Sequence, residues 1–475
     1  MTLPNERAQL GAKVRSLRRR EGLSQALLAS RLGISPSYLN LIEANRRPLP
    51  AALLIKLAQE FRVELHTFAT DSDARLLANL MEVFADGLFE GHGLTSTDVR
   101  EMASSSPAAA RAVLTLYRSY KTASEATESL ASRVGENESQ LPSEEVSDFI
   151  QQRMNHFPAL EEAAEEVCKK ARLGPDELYP GLVRHLEKAH GISVRVARWD
   201  AARGAMRRFD PIRKELVLSE LLPTRSRIFH LAHQLALVSL SPALDALIGS
   251  DAHLTSAASR ALARVALASY FAGAVVMPYA PFLQAAREER YDVDVIGRRF
   301  RVGFEQVCHR FTTLRRPGAE GVPFHMIRID VAGNISKRFS ASGIRFARYS
   351  GACPRWNIFQ AFMTPGMIRI QLSKMPDGAT YFCIARTLHK DSGGYHAQQP
   401  VQAIGLGCQL AQAKELVYSD GVDLESAEVT TPVGVTCRVC ERTDCEQRAF
   451  PSLRHPLQVD ENVRGVSLYA PADPL

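Results

Sequence analysis

The chain has 475 residues, a formal net charge of +6 at neutral pH and eight cysteines. This length exceeds what one hydrophobic core organises, so we expect three or so domains of ordinary globular composition. The absence of an apolar run of about 18 residues and the polar, basic N-terminus exclude a membrane span and a secretory leader. We therefore expect a cytoplasmic protein without disulfides and without a membrane partner.

The first sixty-odd residues have the pattern of a small helical DNA-binding domain. Residues 8–21 predict an amphipathic helix, and Ser24 is a good N-cap for a second helix over 25–32. Gly33 predicts a tight turn, after which Ser35 caps a third helix that runs to Glu43. A fourth helix is expected over about 50–61. Two helices joined by a short glycine-containing turn predict a helix-turn-helix.

The phrase LSQALLASRLGISPSYLNLIEANRR at 23–47 resembles the phage-repressor-like (XRE-type) helix-turn-helix. The resemblance implies a DNA-binding domain over 1–66 that binds double-stranded operator DNA as a homodimer or homotetramer. It also implies DNA contacts, to bases from Ser35, Ser37, Tyr38 and Asn40 and to phosphates from Gln25, Arg15, Arg19, Arg46 and Arg47. The alternative is a solvated helical bundle that binds proteins.

A helical linker or oligomerisation segment is expected over 67–145. Apolar periodicity predicts helices at 74–84, 96–103 and 107–120. Residues 122–146 are polar and lack aromatic side chains, which predicts an exposed helix end followed by a linker.

A degenerate metal-binding motif lies in the helix predicted over 225–240. A helical H-E-x-x-H motif places two zinc ligands on one face, with a glutamate between them as general base. Here His233 is present, but Gln234 replaces the base and Leu237 replaces the second ligand. Gln cannot take a proton from water and Leu cannot bind metal, so the motif predicts no protease activity. His230 and His233 either form half a metal site or are polar residues facing a cleft.

The order helix, strand, hairpin, helix around this motif resembles a bacterial zinc-peptidase domain. That resemblance puts the third zinc ligand at Leu267, which cannot bind metal either. We therefore expect a mostly helical α+β peptidase-like domain over 146–320 that binds a ligand instead of cleaving a substrate. Helical histidine and arginine residues after it predict either an anion site or a solvated basic face.

The last part of the chain, 321–475, predicts an α+β domain with a cysteine site. Strands are expected at 324–330, 335–339, 367–372, 380–388, 403–409 and 416–418. Cys437, Cys440 and Cys445 have the spacing C-x2-C-x4-C, and Cys353 in a Gly/Pro-containing turn is the best candidate for a fourth ligand. Four thiolates hold zinc or an iron–sulfur cluster. The alternative is a set of reduced cysteines in a tight turn. Cys383 and Cys408 are expected to be small buried residues within strands.

Together these segments resemble the short-chain acyl-CoA-responsive transcriptional regulators of bacteria, which control propionate and acetate metabolism. The most specific matches are the N-terminal domain, GACPRWN at 351–357 and TPVGVTCRVCERTDCEQRAFP at 431–451. The resemblance implies a multidomain regulator, not an enzyme. It favours a [4Fe–4S] cluster over zinc on Cys353, Cys437, Cys440 and Cys445, and it implies an acyl-CoA effector in the peptidase-like domain. Candidate acyl-CoA contacts are Tyr270, Arg298, Arg299, His309 and Arg310.

Two other functions compete with this interpretation. A redox or iron sensor would use the cluster alone and would ignore acyl-CoA. A metallopeptidase acting on a repressor would need the ligands that Gln234, Leu237 and Leu267 have replaced.

Overall fold

The computed structural model describes residues 10–44, 46–47, 49–61, 71–89, 94–130, 142–174, 177–198, 205–249, 251–347, 351–389, 396 and 399–452. The chain forms two compact units. The first consists of residues 1–136, 347–350 and 436–475, and the second of residues 137–346 and 351–435. The division into four domains at 66, 145 and 320 stays a prediction.

The first unit begins with four short helices around one apolar core. They are α1 (Leu10–Arg20), α2 (Gln25–Leu32), α3 (Pro36–Glu43) and α4 (Ala51–Glu60). Val14, Leu28, Leu39 and Leu57 are fully buried between them. The four predicted helices are present, and each ends within two residues of its expected position.

Three further helices of this unit follow: α5 (Asp71–Phe84), α6 (Ser96–Ser105) and α7 (Pro107–Leu130). Leu80, Val83, Val99 and Ala110 form their shared core. Helix α6 starts at a capping box in which the side chains of Thr95 and Asp98 bond to each other's backbone amides. Helix α7 continues past Tyr120 to Leu130, into the polar stretch that was predicted to contain an exposed helix end.

Most of the second unit is helical. Its helices are α8 (Pro142–Gln152), α9 (Pro158–Lys170), α10 (Leu178–His190), α11 (Thr224–Ser239), α12 (Ser241–Gly249), α13 (Ala257–Val276), α14 (Tyr279–Glu288), α15 (Val293–Arg299), α16 (Phe304–Phe311) and α17 (Asn357–Gln360). Helix α8 ends at Gln152. Met154 and Asn155 adopt left-handed φ angles of 50° that stop the helix.

A small sheet lies between α10 and α11 in the chain. Its strands are β1 (Ser193–Ala197), β2 (Arg207–Asp210) and β3 (Glu215–Ser219), in the order β1-β3-β2. Strands β2 and β3 pair antiparallel, as the predicted hairpin requires, and β1 pairs parallel with β3. Strand β2 is therefore an edge strand. Leu216 and Leu218 of β3 are fully buried in the same core as Leu231 and Leu235 of α11.

A six-stranded sheet forms the rest of the second unit. Its strands are β4 (His325–Asp330), β5 (Ile335–Ser340), β6 (Arg369–Lys374), β7 (Thr380–His389), β8 (Val401–Gln409) and β9 (Thr430–Pro432), in the order β5-β4-β8-β7-β6-β9. All neighbours pair antiparallel except β6 and β9. The α+β prediction is confirmed for this part of the chain.

One predicted strand, 416–418, was wrong. Residues Val417–Ser419 form a 3₁₀ helix. The amide of Val417 donates to the carbonyl of Arg290 (2.8 Å), and the Tyr418 hydroxyl accepts from the amide of Val293 (2.9 Å). These bonds attach the segment to the start of α15 instead of to a strand. In the part of the chain that the structure describes, no single helix is long and apolar enough to cross a membrane, although two sharply bent helix pairs have the length and composition.

Candidate functional site

Side-chain caps and one glycine position the third helix of the N-terminal domain. The Ser24 hydroxyl accepts from the amide of Leu27, and the Ser35 hydroxyl accepts from the amide of Tyr38, each at 3.2 Å. Gly33 closes α2 at a φ of +70°, a left-handed conformation that favours glycine. The turn between α2 and α3 is thus fixed by local backbone chemistry, as the sequence predicts.

A buried ion pair holds α1 against α3. The Glu43 carboxylate accepts two hydrogen bonds from Arg18, at 2.7 and 2.9 Å, and one from Gln25 at 2.8 Å. The Glu43 side chain is fully buried and that of Arg18 is 11% exposed. Burial works to raise the pKa of Glu43, but the Arg18 and Gln25 hydrogen bonds outweigh it and hold that pKa below its usual value. The sequence interpretation missed Glu43, which looks like the last polar residue of a surface helix.

The expected DNA-contacting side chains divide into exposed and structural ones. Ser37, Asn40, Arg46 and Arg47 are exposed. The Arg47 guanidinium lies 4.8 Å from the ring centre of Tyr38. Ser35 is also exposed, but its hydroxyl caps α3, and Gln25 contacts Glu43 and Asn40 within the protein.

The two arginines of α1 that were expected at phosphates also differ. Arg19 is exposed, whereas Arg15 donates to the carbonyl of Glu43 at 3.0 Å. The exposed polar face therefore consists of Ser37, Asn40, Arg46 and Arg47 with Arg19.

A buried arginine organises the segment with three cysteines. The Arg448 guanidinium, 6% exposed, donates to the backbone carbonyls of Cys437 and Cys440, both at 2.9 Å, and to that of Arg442. The amide of Ala449 donates to the Cys437 sulfur at 3.5 Å. Cys440 and Cys445 are buried, and burial raises the pKa of the Cys440 thiol. Arg448 was not expected at this position.

Cys353 belongs to the second unit. Its amide donates to the carbonyl of Val435 (2.9 Å), and the Trp356 indole donates to the carbonyl of Gly434 (3.0 Å). The turn at 351–357 is therefore attached to the chain just before Thr436. Among the described residues, no group of three or more His, Cys, Asp or Glu side chains is arranged to hold a metal ion. The thiol donors fit zinc or an iron–sulfur cluster by their chemistry.

Two further cysteines are buried in strands, as predicted. Cys383 of β7 and Cys408 of β8 are within the protein core, and burial raises the pKa of Cys383 to about 12. The Cys383 sulfur lies 3.5 Å from Nε2 of His325, whose Nδ1 is 2.8 Å from the Ser342 hydroxyl. Burial lowers the pKa of His325 to about 3. This neutral imidazole is a satisfied core residue.

The degenerate motif is packed into the protein interior. His233 and Gln234 of α11 and Leu267 of α13 are each at most 4% exposed. The Arg207 guanidinium of β2 contacts Nδ1 of His233. A cation therefore lies against the imidazole that a zinc ion would bind in the intact motif. The sequence interpretation missed Arg207, because nothing local to β2 indicates this contact.

Two of the candidate acyl-CoA residues belong instead to a buried ion-pair network. Arg310 donates to the Glu161 carboxylate at 2.6 and 2.9 Å, and the Tyr270 hydroxyl donates to the same carboxylate at 2.6 Å. Arg310 and Tyr270 are at most 3% exposed. In this structure they hold α9, α13 and α16 together and present no surface to a ligand.

The other three candidates differ from one another. Arg298 and Arg299 are exposed, and Arg299 pairs with Glu288 and Glu289. His309 is half-buried, and burial lowers its pKa to about 4, so it carries no positive charge near neutral pH. The structure thus does not bring the five candidates together in one site.

Three known protein families match successive parts of the chain. Residues 14–68 match the helix-turn-helix family, and residues 187–312 match the IrrE N-terminal-like domain. Residues 313–469 match the C-terminal domain of the short-chain fatty acyl coenzyme A regulator.

Close relatives cover almost the whole chain. The HTH-type transcriptional regulator RamB of Mycobacterium tuberculosis is 41% identical, with 97% of this chain and 98% of the relative aligned. The chain belongs to the family of short-chain fatty acyl coenzyme A regulators. It is also 41% identical to the HTH-type transcriptional regulator PrpR of the same organism (95% of this chain, 93% of PrpR). A third relative, the propionyl-CoA carboxylase regulator of Cereibacter sphaeroides, is 40% identical over 98% of both chains.

A solved structure supports this family membership. A Mycobacterium tuberculosis transcriptional regulator superposes with a TM-score of 0.67 at 42% identity, covering 70% of this chain and all of that one. The chain is thus a helix-turn-helix transcriptional regulator, and its middle part is similar to the IrrE N-terminal-like domain.

Proposed function

We propose that this regulator controls genes of short-chain acyl-CoA metabolism and that an acyl-CoA, such as propionyl- or acetyl-CoA, changes its affinity for DNA. The observation that carries the proposal is the exposed face of α3, held by the buried pair Arg18–Glu43 in a chain of this family. The names of the relatives support the metabolic part. An effector acts only through different affinities for two protein states, so binding of acyl-CoA and of DNA must be reciprocally coupled.

The DNA-binding role is assigned to the polar face described above. Ser37 and Asn40 at the start of α3 would contact base edges, and Arg19, Arg46 and Arg47 would contact phosphates. Gln25 and Ser35 would act mainly by positioning α3, because both are engaged within the protein. Two copies would bind paired half-sites as a dimer or as part of a tetramer.

Binding to the protein's own promoter fragment tests the proposal. Fluorescence anisotropy with the full chain should give a dissociation constant that changes when propionyl- or acetyl-CoA is added but not when free CoA is added. Asn40→Ala should weaken binding. The matched control is Arg31→Ala, which removes an exposed ion pair between Arg31 of α2 and Glu60 of α4. A wild-type protein that ignores the promoter with and without acyl-CoA would contradict the proposal.

We place the effector in the peptidase-like part of the chain, which is proposed to bind without catalysis. Gln234, Leu237 and Leu267 supply neither a general base nor two of the metal ligands. Arg298 is an exposed basic candidate for an effector contact. Added zinc should give no cleavage of a partner protein, and cleavage that depends on zinc would revive the peptidase alternative.

We further propose a [4Fe–4S] cluster on Cys353, Cys437, Cys440 and Cys445, with zinc as the alternative. The proposal rests on the all-thiol donor set and on the buried Arg448 that shapes its loop. Such a cluster would supply redox or iron sensitivity. Iron, sulfide and zinc should be measured on anaerobically purified protein. Cys437→Ser and Cys440→Ser should lose the metal, and Cys408→Ser, a buried control in β8, should keep it.

The cluster-only sensor makes a different prediction. In that case the cysteine variants abolish regulation and acyl-CoA has no effect on the wild-type protein. If acyl-CoA still regulates the cysteine variants, the two inputs are separate.

A further inference from the structure

A basic cluster lies on one face of α11 in the second unit. Arg227, His230 and His233 are spaced three residues apart, so they share a face of this helix. Arg207 of the edge strand β2 reaches the same face, because its guanidinium contacts Nδ1 of His233. All four side chains are buried or half-buried.

No carboxylate balances Arg207 among the residues that the structure describes; its contact there is the His233 imidazole. Burial alone lowers the pKa of Arg207, with no acidic neighbour to oppose the shift. Burial and, second, the charge of Arg207 lower the pKa values of His230 and His233 to about 4. Near neutral pH both imidazoles are therefore uncharged, and the arginines leave the cluster positive.

Two polar atoms of the same face lack a protein partner. Nδ1 of His230 and Nε of Arg227 are buried, and neither makes a hydrogen bond with any described residue. Buried polar groups are usually paired, and a buried charge without a partner is unfavourable. Arg310 is different, because both oxygens of the Glu161 carboxylate accept hydrogen bonds from its guanidinium. Nη2 of Arg227 donates to the carbonyl of Glu220 at 2.8 Å, which leaves Nε of Arg227, Nδ1 of His230 and the Arg207 guanidinium without an acidic or carbonyl partner among the described residues.

We propose that Arg207, Arg227 and His230 form an oxyanion-binding site that takes a phosphate or carboxylate group. Guanidinium groups bind such planar or tetrahedral oxyanions through charge-assisted hydrogen bonds, and the half-buried position protects these bonds from screening. The site occupies the place of the lost metal centre. The site does not depend on acyl-CoA being the effector, because the charge and the hydrogen-bonding state of these side chains alone define it.

A thermal-shift titration of the full chain tests the site, with inorganic phosphate and acetate as probes against chloride at constant ionic strength. A bound anion raises the melting temperature as its concentration exceeds the dissociation constant. Arg207→Met should weaken the anion response by about tenfold or more. Arg195→Met is the matched control, since Arg195 is an exposed arginine of the same small sheet and pairs with Glu215. It should respond like the wild type.

The melting temperature without anion separates this site from a purely structural contact. Arg207→Met removes an unmatched half-buried charge, so its melting temperature should equal or exceed that of the wild type. His230→Asn keeps Arg207 and should also respond more weakly to the anion, which provides a test if Arg207→Met does not fold. A phosphate-only response identifies a phosphoryl site, and an equal acetate response identifies a general carboxylate or phosphate site.

Three results would overturn the proposal. The first is the absence of any anion response in the wild type, and the second is an equal response in all variants, which indicates a general salt effect. The third is a destabilised Arg207→Met that keeps the response, because Arg207 would then only support His233. A failure of acyl-CoA to bind leaves these outcomes unchanged, so the two proposals fail independently.

Discussion

Glu161 of α9 and Arg310 of α16 form a bidentate ion pair in the interior of the second unit, with oxygen–nitrogen distances of 2.6 and 2.9 Å. Their side chains are 1% and 2% exposed. Removing one partner leaves the other charge buried and unmatched, so Glu161→Gln should lower the free energy of unfolding by about 3–5 kcal/mol. Denaturant titration measures the change. The double variant Glu161→Leu/Arg310→Met should recover most of it, and a double variant as unstable as the single one would contradict this account.

The same pair predicts a loss of stability in acid. Burial works to raise the pKa of Glu161, but Arg310 outweighs it, so the pKa in the folded state lies below its usual value. The stabilisation is therefore present above the unfolded-state pKa of about 4.3 and is lost as pH falls through the lower folded-state value. Unfolding free energies from pH 7 to pH 3 should decrease more steeply for the wild type than for Glu161→Gln. Parallel curves would show that the fold does not lower the pKa of Glu161 and would contradict this prediction.

Loss of the ion pair Arg18–Glu43 should lower both the stability of the N-terminal domain and its affinity for DNA. Glu43→Gln leaves Arg18 without a charged partner and should destabilise this domain by about 1–3 kcal/mol. DNA binding should weaken although the exposed face of α3 is unchanged. Amide hydrogen exchange in α1 and α3 measures the first effect and anisotropy the second. Arg31→Ala is the control, because its pair with Glu60 is exposed.

The two kinds of DNA contact should be separable by salt. Asn40→Ala should cost about 1–3 kcal/mol for the operator but little for unrelated DNA, because a base contact is lost. Arg46→Ala should weaken binding to both and should reduce the slope of log K against log salt by about one. Equal effects of both variants on operator and unrelated DNA would argue against the assigned orientation of α3.

A close approach of β8 to His325 makes one glycine sensitive to substitution. A Cβ at Gly407 would lie 2.5 Å from Nε2 of His325 and 2.6 Å from the carbonyl oxygen of Phe382. Gly407→Ala should therefore destabilise the protein by about 1–3 kcal/mol or more through overpacking. Gly273→Ala in α13 is the matched control, since no atom lies within 4 Å of its added Cβ. That change should be neutral or slightly stabilising, and equal melting temperatures for both variants would contradict the close approach.

Local chemistry explains why the N-terminal helices were predictable from the sequence. Ser24, Gly33 and Ser35 each fix a helix end through bonds to residues no more than four positions away. The degenerate metal-binding motif could also be recognised from the sequence, because it depends on residue identities within one helix. The buried state of Cys383 and Cys408 followed from their positions in apolar strand patterns.

Long-range pairing explains what the sequence did not reveal. Glu161 and Arg310 are 149 positions apart, so Arg310 looks like an available basic residue until the fold matches it. Arg207 approaches His233 through the pairing of a strand with a distant helix face. The apolar run at 416–418 looks like a short strand in the sequence, but its hydrogen-bond partners are Arg290 and Val293, which lie in no sheet.

The outer strands of the six-stranded sheet have a consequence for how copies of this regulator associate. Strand β9 has three residues and ends in Pro432, which has no amide hydrogen to donate. The opposite strand, β5, carries Lys337 and Arg338 and packs against α8, where Gln151 bonds to the backbone of Ser340. Short, charged or covered edges discourage strand addition between molecules. Copies of this protein should therefore associate through helical surfaces. The six-stranded sheet should resist edge-to-edge aggregation at high protein concentration.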